Sequence, residues 1–331
     1  MENIVEVKNL KKYFTIGGGG FRKKHSIKAV DNISFNIKKK EILGLVGESG
    51  CGKTTCGKII LRIIDPTSGS IVFDGHDITS ISQREMAQFR NQMMIIYQDP
   101  FGSLDPRMKI GSTIAEPMEV HHLFSRDEKE KKENRIIELM AKVGLTPDQI
   151  NRYPHEFSGG QRQRIGIARA LATNPKFIVA DEPVSALDVS IQAQIINLLK
   201  NLQKEFGLTL LFITHDLSVI KHISDRVAVM YTGQIVEMAS RNELFKNPLH
   251  PYTKTLISSI PIPNPDKKRK KESLKGEVPS LINLPTGCRF HPRCRICKKA
   301  CSVIEPKLIE VKKDHFVACN KFMSKEKKEI S

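Results

Sequence analysis

The chain has 331 residues, seven cysteines and a formal net charge of +17, and this length allows one large domain with a smaller appendage. No stretch approaches the roughly 18 consecutive apolar residues of a membrane span, and the first residues lack the order of a signal peptide, so we expect a cytoplasmic chain. Because the lysines are spread widely, the charge favours a solvated lysine-rich surface over a polyanionic partner.

The first predicted elements are β-strands. Residues 4–14 and 33–46 have a β-rich pattern, and EILGLV at 41–46 is a short apolar strand that leads into a glycine-rich turn and a helix. Phosphate sites are built on units of this strand, loop and helix order. The segment therefore predicts a site for an anion at the end of this strand.

The turn itself, GESGCGKT at 47–54, fits the phosphate-binding loop, or P-loop. Its glycines would let backbone N–H groups turn inward around phosphates, and the following helix would add its positive end. Lys53 would then contact the β- and γ-phosphates, and the Thr54 hydroxyl would bind Mg²⁺. The residues predicted to bind nucleotide here are Gly47, Glu48, Ser49, Gly50, Cys51, Gly52, Lys53, Thr54 and Thr55.

The middle of the chain has a helical pattern. It contains IGSTIAEPMEVHHLF and then DEKEKKENRIIELMAKVG, whose apolar residues recur with a spacing close to 3.6. The pattern predicts a helical subdomain at about 102–172. We expect it to be inserted into an α/β core.

Strands alternate with helices again in the following part of the chain. KFIVADE at 176–182, LTLLFIT at 208–214 and RVAVM at 226–230 are predicted strands, and a helix is predicted from about Ser190 to Phe206. This alternation predicts a mainly parallel sheet.

Charged residues follow two of these strands. Asp181 ends the first apolar run and would hold Mg²⁺, typically through water, whereas Glu182 would act on the attacking water as a general base or polarising group. His215 follows the next strand, where it would contact the γ-phosphate. An acidic pair after a strand is often only a turn, but the P-loop upstream favours the functional interpretation.

The composition changes after Tyr252 to Pro and Lys. We predict that the first domain spans 1–262 and that 263–331 form a small cysteine-rich module, which is too short to build much core alone. KKRKK at 267–271 is interpreted as a linker or exposed basic loop, with attraction to anionic lipid headgroups as a second interpretation. Five cysteines lie in the last 44 residues, and in a reducing cytoplasm they favour a metal site over disulfides.

SGGQ at 158–161, followed by RQRIGIARAL, completes a set of motifs that resembles the ABC ATPase family. The resemblance covers about residues 4–260 and implies an α/β P-loop NTPase with a RecA-like core, an antiparallel β subdomain and a helical subdomain. It also implies that this signature opens a helix that binds the γ-phosphate of ATP held by the opposite subunit. The signature residues are Ser158, Gly159, Gly160 and Gln161.

The same resemblance assigns further residues. Gln98 in IIYQDP would contact both Mg²⁺ and a membrane subunit, and SALD at 185–188, with Asp188, would lie across a dimer interface. Phe14 would stack on adenine, with Tyr13 as the competing choice. With every motif intact, two such subunits would close over ATP and part after hydrolysis. The catalytic residues implied are Glu182, His215 and Gln98.

Three stretches resemble a narrower group, the oligopeptide, dipeptide and nickel importers. They are YQDPFGSLDPRMKIGSTIAEP at 97–117, NPLHPYTKTLISSIP at 247–261 and GCRFHPRC at 287–294. The long amino-terminal loop resembles the F-type of their two ATPase subunits. The implied partners are a D-type ATPase subunit, two transmembrane permease subunits and an extracytoplasmic peptide-binding protein, with this subunit peripheral on the cytoplasmic face of the cell membrane and no nucleic acid bound.

The spacing of four tail cysteines matches the pattern of this group and implies a [4Fe–4S] cluster held by four thiolates. The implied ligands are Cys288, Cys294, Cys301 and Cys319. Zinc is an alternative, although Cys₄ zinc sites more often contain closely spaced pairs, and unmetallated thiols are a third possibility. Cys297 has no counterpart in the pattern. We expect a structural or redox-sensing role for the site.

Two other classes of function are compatible with parts of the sequence. A nucleic-acid motor with an ABC core is the main alternative, but translation factors carry two cassettes and repair ATPases carry long coiled coils, whereas this chain has one P-loop and no extended heptad run. A metal-sensing module with a vestigial ATPase is opposed by the intact catalytic motifs. Within importers, nickel or another small solute is the alternative cargo, because this subunit does not contact the cargo.

Overall fold

The computed structural model describes residues 2–17, 25–260, 276–277 and 279–326. The predicted domain boundary at 262/263 and the basic run at 267–271 lie outside these described residues, so both stay predictions. The strands are β1 (Asn3–Ile16), β2 (His25–Lys38), β3 (Ile42–Val46), β4 (Ser68–Phe73), β5 (His76–Asp77), β6 (Met93–Ile96), β7 (Phe177–Asp181), β8 (Thr209–Thr214), β9 (Arg226–Tyr231), β10 (Gln234–Ser240), β11 (Ile309–Lys312) and β12 (His315–Val317). The helices are α1 (Lys53–Ile60), α2 (Gln83–Arg90), α3 (Ile110–Val120), α4 (Lys129–Lys142), α5 (Gly159–Leu171), α6 (Val189–Phe206), α7 (Leu217–Ile223), α8 (Arg241–Lys246), α9 (Pro251–Ser258) and α10 (Asn320–Glu326).

The larger sheet has the strand order β11-β12-β10-β9-β3-β8-β7-β6. From β9 to β6 every pairing is parallel, which confirms the predicted parallel sheet, whereas β10, β12 and β11 extend it with antiparallel pairings. Every residue of β3, β7 and β8 is buried. Continuous apolar runs of this kind are typical of strands that are covered on both faces.

A second, antiparallel sheet has the order β2-β1-β4-β5. Its inward residues share one hydrophobic core with α1 and with Leu43 and Leu45 of β3. The alternate residues Ile42 and Val46 of β3 belong to the core on the opposite face, which contains the helices of the middle segment. Alternate side chains of β3 thus pack on opposite faces of the sheet. The P-loop directly follows β3 and therefore lies between these two packed layers.

The segment predicted to be helical contains α3, α4 and α5. The amide of Gly111 donates to the carbonyl of Ile150 at 2.9 Å, which ties the start of α3 to the chain that leads into α5. The helices are confirmed, and the limits of the subdomain at 102 and 172 stay a prediction.

The cysteine-rich tail packs on the ATPase core. Strand β12 pairs with β10 through Glu237 and Met238, and the ring of Phe290 lies 5.2 Å from that of Tyr231 and 5.5 Å from that of Tyr252. The segment thus gains from the main sheet the core that it is too short to build alone. In the parts of the chain described above, no helix has the length and apolar character that spanning a membrane requires.

Candidate functional site

Two glycines of the P-loop sit where no side chain fits. A Cβ on Gly47 would lie 2.1 Å from the carbonyl oxygen of Met230. Gly52 has φ of +104°, and a Cβ there would lie 2.0 Å from the carbonyl oxygen of Ala29. The loop is therefore pressed against neighbouring backbone at both glycines, and only glycine fits these two positions.

Lys53 begins α1 and its side chain folds back over the loop. It is only 4% exposed, and its Nζ donates to the carbonyl oxygens of Gly47 at 2.8 Å and Glu48 at 3.0 Å. Backbone carbonyl oxygens of the loop thereby hold an ammonium group at a helix N-terminus, where positive charge attracts phosphate. Burial raises the pKa of the Cys51 thiol, which packs beneath the loop.

Thr54 and Asp181 meet at the phosphate end of the site. The Thr54 hydroxyl donates to Asp181 Oδ1 at 2.8 Å, because parallel strands β3 and β7 end at the same edge of the sheet. Burial raises the pKa of the Asp181 carboxyl above its ordinary value, and the bond from Thr54 opposes that rise. The pair offers two oxygen ligands of the kind that Mg²⁺ prefers.

Glu182 lies next to this pair and is held from two sides. Its Oε2 lies 3.0 Å from Nδ1 of His215 and accepts from Nε2 of Gln98 at 3.4 Å. Its backbone has φ of +46°, in the left-handed region that non-glycine residues rarely adopt. The Glu182 amide donates to the carbonyl of Ile213 at 2.9 Å, which helps to hold that conformation. Strain retained at such a position is characteristic of functional sites.

Most of these groups, though not Gly47 or Asp181, line one cavity of about 840 Å³. Its lining also includes Phe14, Ile27 and Ala29, while Tyr13 instead donates its hydroxyl to Asp31. The predicted residues that line the cavity are Phe14, Glu48, Ser49, Gly50, Gly52, Lys53, Thr54, Thr55, Gln98, Glu182 and His215. The lining combines an aromatic ring and apolar side chains with cationic and N–H donors, which is the chemistry that a nucleotide requires.

Comparison with known proteins identifies the family. The family model described as "ABC transporter" matches residues 30–185, and the model described as "Oligopeptide/dipeptide transporter, C-terminal region" matches residues 236–301. The oligopeptide transport ATP-binding protein AppF of Bacillus subtilis is 52% identical over 323 residues, which cover 96% of this chain and 97% of AppF. The chain belongs to the oligopeptide/dipeptide ABC transporter ATP-binding proteins.

Solved structures agree with this assignment. The ATP-binding cassette MJ0796 was determined as a dimer in a post-hydrolysis state bound to ADP and Pi. It matches this chain with a TM-score of 0.64 and 30% sequence identity, and the match covers 72% of this chain and 98% of the MJ0796 chain. cbiO1 from Clostridium perfringens, part of the ABC transporter complex cbiONQ, gives a TM-score of 0.64 at 26% identity and covers 75% of this chain and 92% of its own. They confirm the ABC cassette fold, and ATP binding and hydrolysis are the activities of this ABC ATPase.

Some predicted residues of the ABC ATPase lie outside the cavity. Gly47 and Cys51 are buried within the loop, and Asp181 lines a neighbouring cleft. The signature serine, Ser158, is exposed and caps α5, where it accepts from the Gln161 amide at 3.3 Å. The predicted nucleotide-binding residues that do not line the cavity at this chain's own P-loop are Ser158, Gly159, Gly160, Gln161 and Asp188.

Sequence reasoning missed several residues that surround the P-loop. Leu256 and Leu281 line the cavity, the hydroxyl of Tyr252 accepts from the Glu48 amide at 2.9 Å, and Arg293 binds the Glu48 carboxylate. The signal was present, because the HPYT and GCRFHPRC stretches were already distinctive. These stretches indicate the group of importers, but their sequence does not indicate which residues of the core they contact.

The tail cysteines lie near one another. Burial raises the pKa of the Cys288 thiol to about 12, and Cys319, Cys301 and Cys294 raise it further. Over residues 2–17, 25–260, 276–277 and 279–326, however, no three His, Cys, Asp or Glu side chains are grouped so that they could hold a metal ion. Four cysteine thiols are the ligand type that both a [4Fe–4S] cluster and a Cys₄ zinc site use, so the predicted occupant of these cysteines stays a prediction.

Proposed function

We propose that this ABC ATPase powers the import of oligopeptides or dipeptides. The observation that carries the proposal is the 52% identity to an oligopeptide transport ATP-binding protein across 96% of the chain. In the proposed complex it is the F-type subunit and works with a D-type ATPase subunit, two transmembrane permease subunits and an extracytoplasmic peptide-binding protein. It would lie on the cytoplasmic face of the cell membrane.

The residues at the phosphate end fit Mg²⁺. Thr54 and Asp181 present oxygens 2.8 Å apart, and Mg²⁺ is commonly held by one or two protein ligands together with substrate phosphates. Thr54, Asp181 and Gln98 would therefore hold the ion. When bound, Mg²⁺ neutralises negative charge on the β- and γ-phosphates of ATP.

Glu182 is the proposed general base for hydrolysis. Its carboxylate would accept a proton from the water that attacks the γ-phosphate. His215 and Gln98 support this role because both contact Oε2 of Glu182 and so fix its direction. His215 would also contact the γ-phosphate, while Lys53 would neutralise the phosphates from the P-loop side.

The signature residues are proposed to act on ATP in the partner subunit. The exposure of Ser158 and the separation of the signature from this chain's cavity support use across an interface. Its helix, α5, spans 13 residues and presents backbone N–H groups at its start. Asp188, exposed at the start of α6, is proposed to lie at the same interface.

We also propose that Cys288, Cys294, Cys301 and Cys319 hold a [4Fe–4S] cluster, with zinc as the alternative occupant. Chemical analysis of anaerobically purified protein should then give four irons and four acid-labile sulfides per chain, with broad visible absorption, and both should be lost in Cys294→Ser. Retention of both in Cys56→Ser is the matched control, because Cys56 is buried in the ATPase core. Zinc without sulfide would overturn the cluster.

The decisive experiment is ATP hydrolysis by the complete complex in lipid vesicles with its binding protein. Short peptides, nickel chelates and buffer alone are compared, with Glu182→Gln as the inactive blank. Stimulation by peptides alone supports the proposal. Stimulation by nickel alone would keep the ATPase and replace the cargo, and a response to neither would reject both.

A further inference from the structure

The cysteine-rich tail contacts the P-loop directly. Arg293 is 7% exposed, and its Nη1 and Nη2 donate to the two carboxylate oxygens of Glu48 at 2.7 and 3.0 Å. Nη1 also donates to the hydroxyl of Tyr231 at 3.4 Å. A two-pronged guanidinium–carboxylate contact fixes the direction of both side chains, which a lysine at this position would not do.

Glu48 is the second residue of the P-loop and connects three parts of the site. Its carbonyl oxygen accepts from Nζ of Lys53, and its amide donates to the hydroxyl of Tyr252. Arg293 therefore holds the side chain of Glu48, while the carbonyl oxygen of Glu48 holds Nζ of Lys53, the group proposed to contact the phosphates. Movement of Glu48 would disturb the loop at the atoms where an anion binds.

A second arginine of the tail binds the core at Asp31, two residues after Ala29 in the cavity lining. Arg289 is also 7% exposed, donates to the carbonyl of Thr232 at 2.5 Å and pairs with Asp31. Asp31 in turn accepts from the hydroxyl of Tyr13, which directly precedes Phe14 of the cavity lining. The tail thus contacts the P-loop through Arg293 and, through Arg289, residues next to other parts of the lining.

These contacts couple the tail to ATP binding energetically. The Arg293 side chain is buried, although the Glu48 side chain is 24% exposed, so breaking this ion pair would be costly because it leaves a buried guanidinium without this carboxylate. If the contact between Arg293 and Glu48 favours the conformation of the loop that binds phosphate, ATP must in turn favour that contact, since coupling between two sites is reciprocal. The tail would then adjust the affinity of the cavity without touching the reacting atoms.

We propose that Arg293 is a positioning residue for ATP binding, which acts through Glu48 to hold the P-loop and Lys53 in the geometry that receives the triphosphate. The proposal rests on the ATPase function proposed above. It assigns to the tail a role in affinity and leaves the hydrolytic step to Glu182 and its neighbours.

The test uses the complete complex in lipid vesicles and measures KM, kcat and equilibrium binding of ATP. Arg293→Gln should weaken ATP binding at the altered subunit about tenfold, with kcat at saturating ATP little changed. Arg293→Lys should be intermediate because it retains the charge and loses the two-pronged contact. The matched control is Lys312→Gln, which removes another ion pair between tail and core, to Glu243, remote from the P-loop.

Glu48→Gln separates positioning from simple electrostatics. Positioning predicts that Glu48→Gln also weakens ATP binding, and that the double variant with Arg293→Gln is no worse than either single variant. If the carboxylate only repelled phosphate, its removal would strengthen ATP binding, and that result would overturn the proposal. The proposal would also be overturned if the Arg293 variants lost kcat and melting temperature while their affinity for ATP stayed unchanged. Failure of the wild-type complex to bind and hydrolyse ATP would instead refute the underlying function.

Discussion

Alanine at Gly52 should destabilise the chain far more than alanine at Gly50, although both glycines lie in the P-loop with positive φ. At Gly50, φ is +76° and an added Cβ meets nothing within 4 Å, so only backbone strain of about 1 kcal/mol is expected. At Gly52, φ is +104° and the Cβ would lie 2.0 Å from Ala29 O. Strain and overlap together should cost about 3–5 kcal/mol there.

Thermal unfolding of the nucleotide-free chain measures this difference without any contribution from ATP contacts. At roughly 2–3 °C per kcal/mol for a large domain, Gly52→Ala should lower the melting temperature by about 6–15 °C and Gly50→Ala by about 2–3 °C. Far-ultraviolet circular dichroism at low temperature checks that both variants are folded. Equal losses for the two variants would refute the argument, because the overlap with Ala29 would then have no energetic consequence.

Three further predictions concern catalysis, stability and pH. Glu182→Gln should lower kcat about 10²–10⁴-fold while leaving ATP binding intact, and substantial residual hydrolysis by the complex would contradict it. Glu237 is fully buried and accepts from two backbone amides and from Nε2 of His315. Glu237→Gln should therefore lower the free energy of unfolding, measured in urea, by about 2–4 kcal/mol. The control is Glu133→Gln at an exposed position, which should lower it by about 0.5 kcal/mol or less. Burial lowers the pKa of His250 to about 4. In the unfolded chain this histidine binds its proton near pH 6.5, so its contribution to the free energy of unfolding is fully present above that pH. The contribution should fall by about 3 kcal/mol as the pH is lowered toward 4. His250→Asn should flatten that fall, and an unchanged acid profile would show that other groups cause it.

The phosphate end of the site could be predicted because its signals are local. A P-loop occupies consecutive residues, and Asp181 and Glu182 directly follow a buried apolar strand, so each motif is recognised without knowing the rest of the fold. Their meeting follows from the rule that parallel strands end at one edge of the sheet. The residues 33–46 were predicted as one β-rich segment, but the structure divides them at a turn where Lys40 has φ of +61°. The first residues of β2 are largely exposed, so hydrophobic pattern did not indicate them.

The contacts of the tail could not be predicted in this way. Arg293 and Glu48 are 245 positions apart, and no periodicity in either segment points to the other. Leu281 lines the cavity because the amide of Lys28 donates to its carbonyl at 3.4 Å, which is again a pairing of distant segments. Such contacts arise from tertiary packing, so one sequence marks these residues as distinctive without saying what they touch.

The distance along the chain between Glu48 and Arg293 also orders events during synthesis. A ribosome that adds about 5–20 residues per second needs roughly 12–50 s between these two residues. Strand β3 likewise waits for β8 and β9, its two neighbours in the sheet. A nascent chain would therefore carry its P-loop, without its full set of supporting contacts, for most of its synthesis. Competence to bind nucleotide tightly would arrive late, when the tail emerges and can dock.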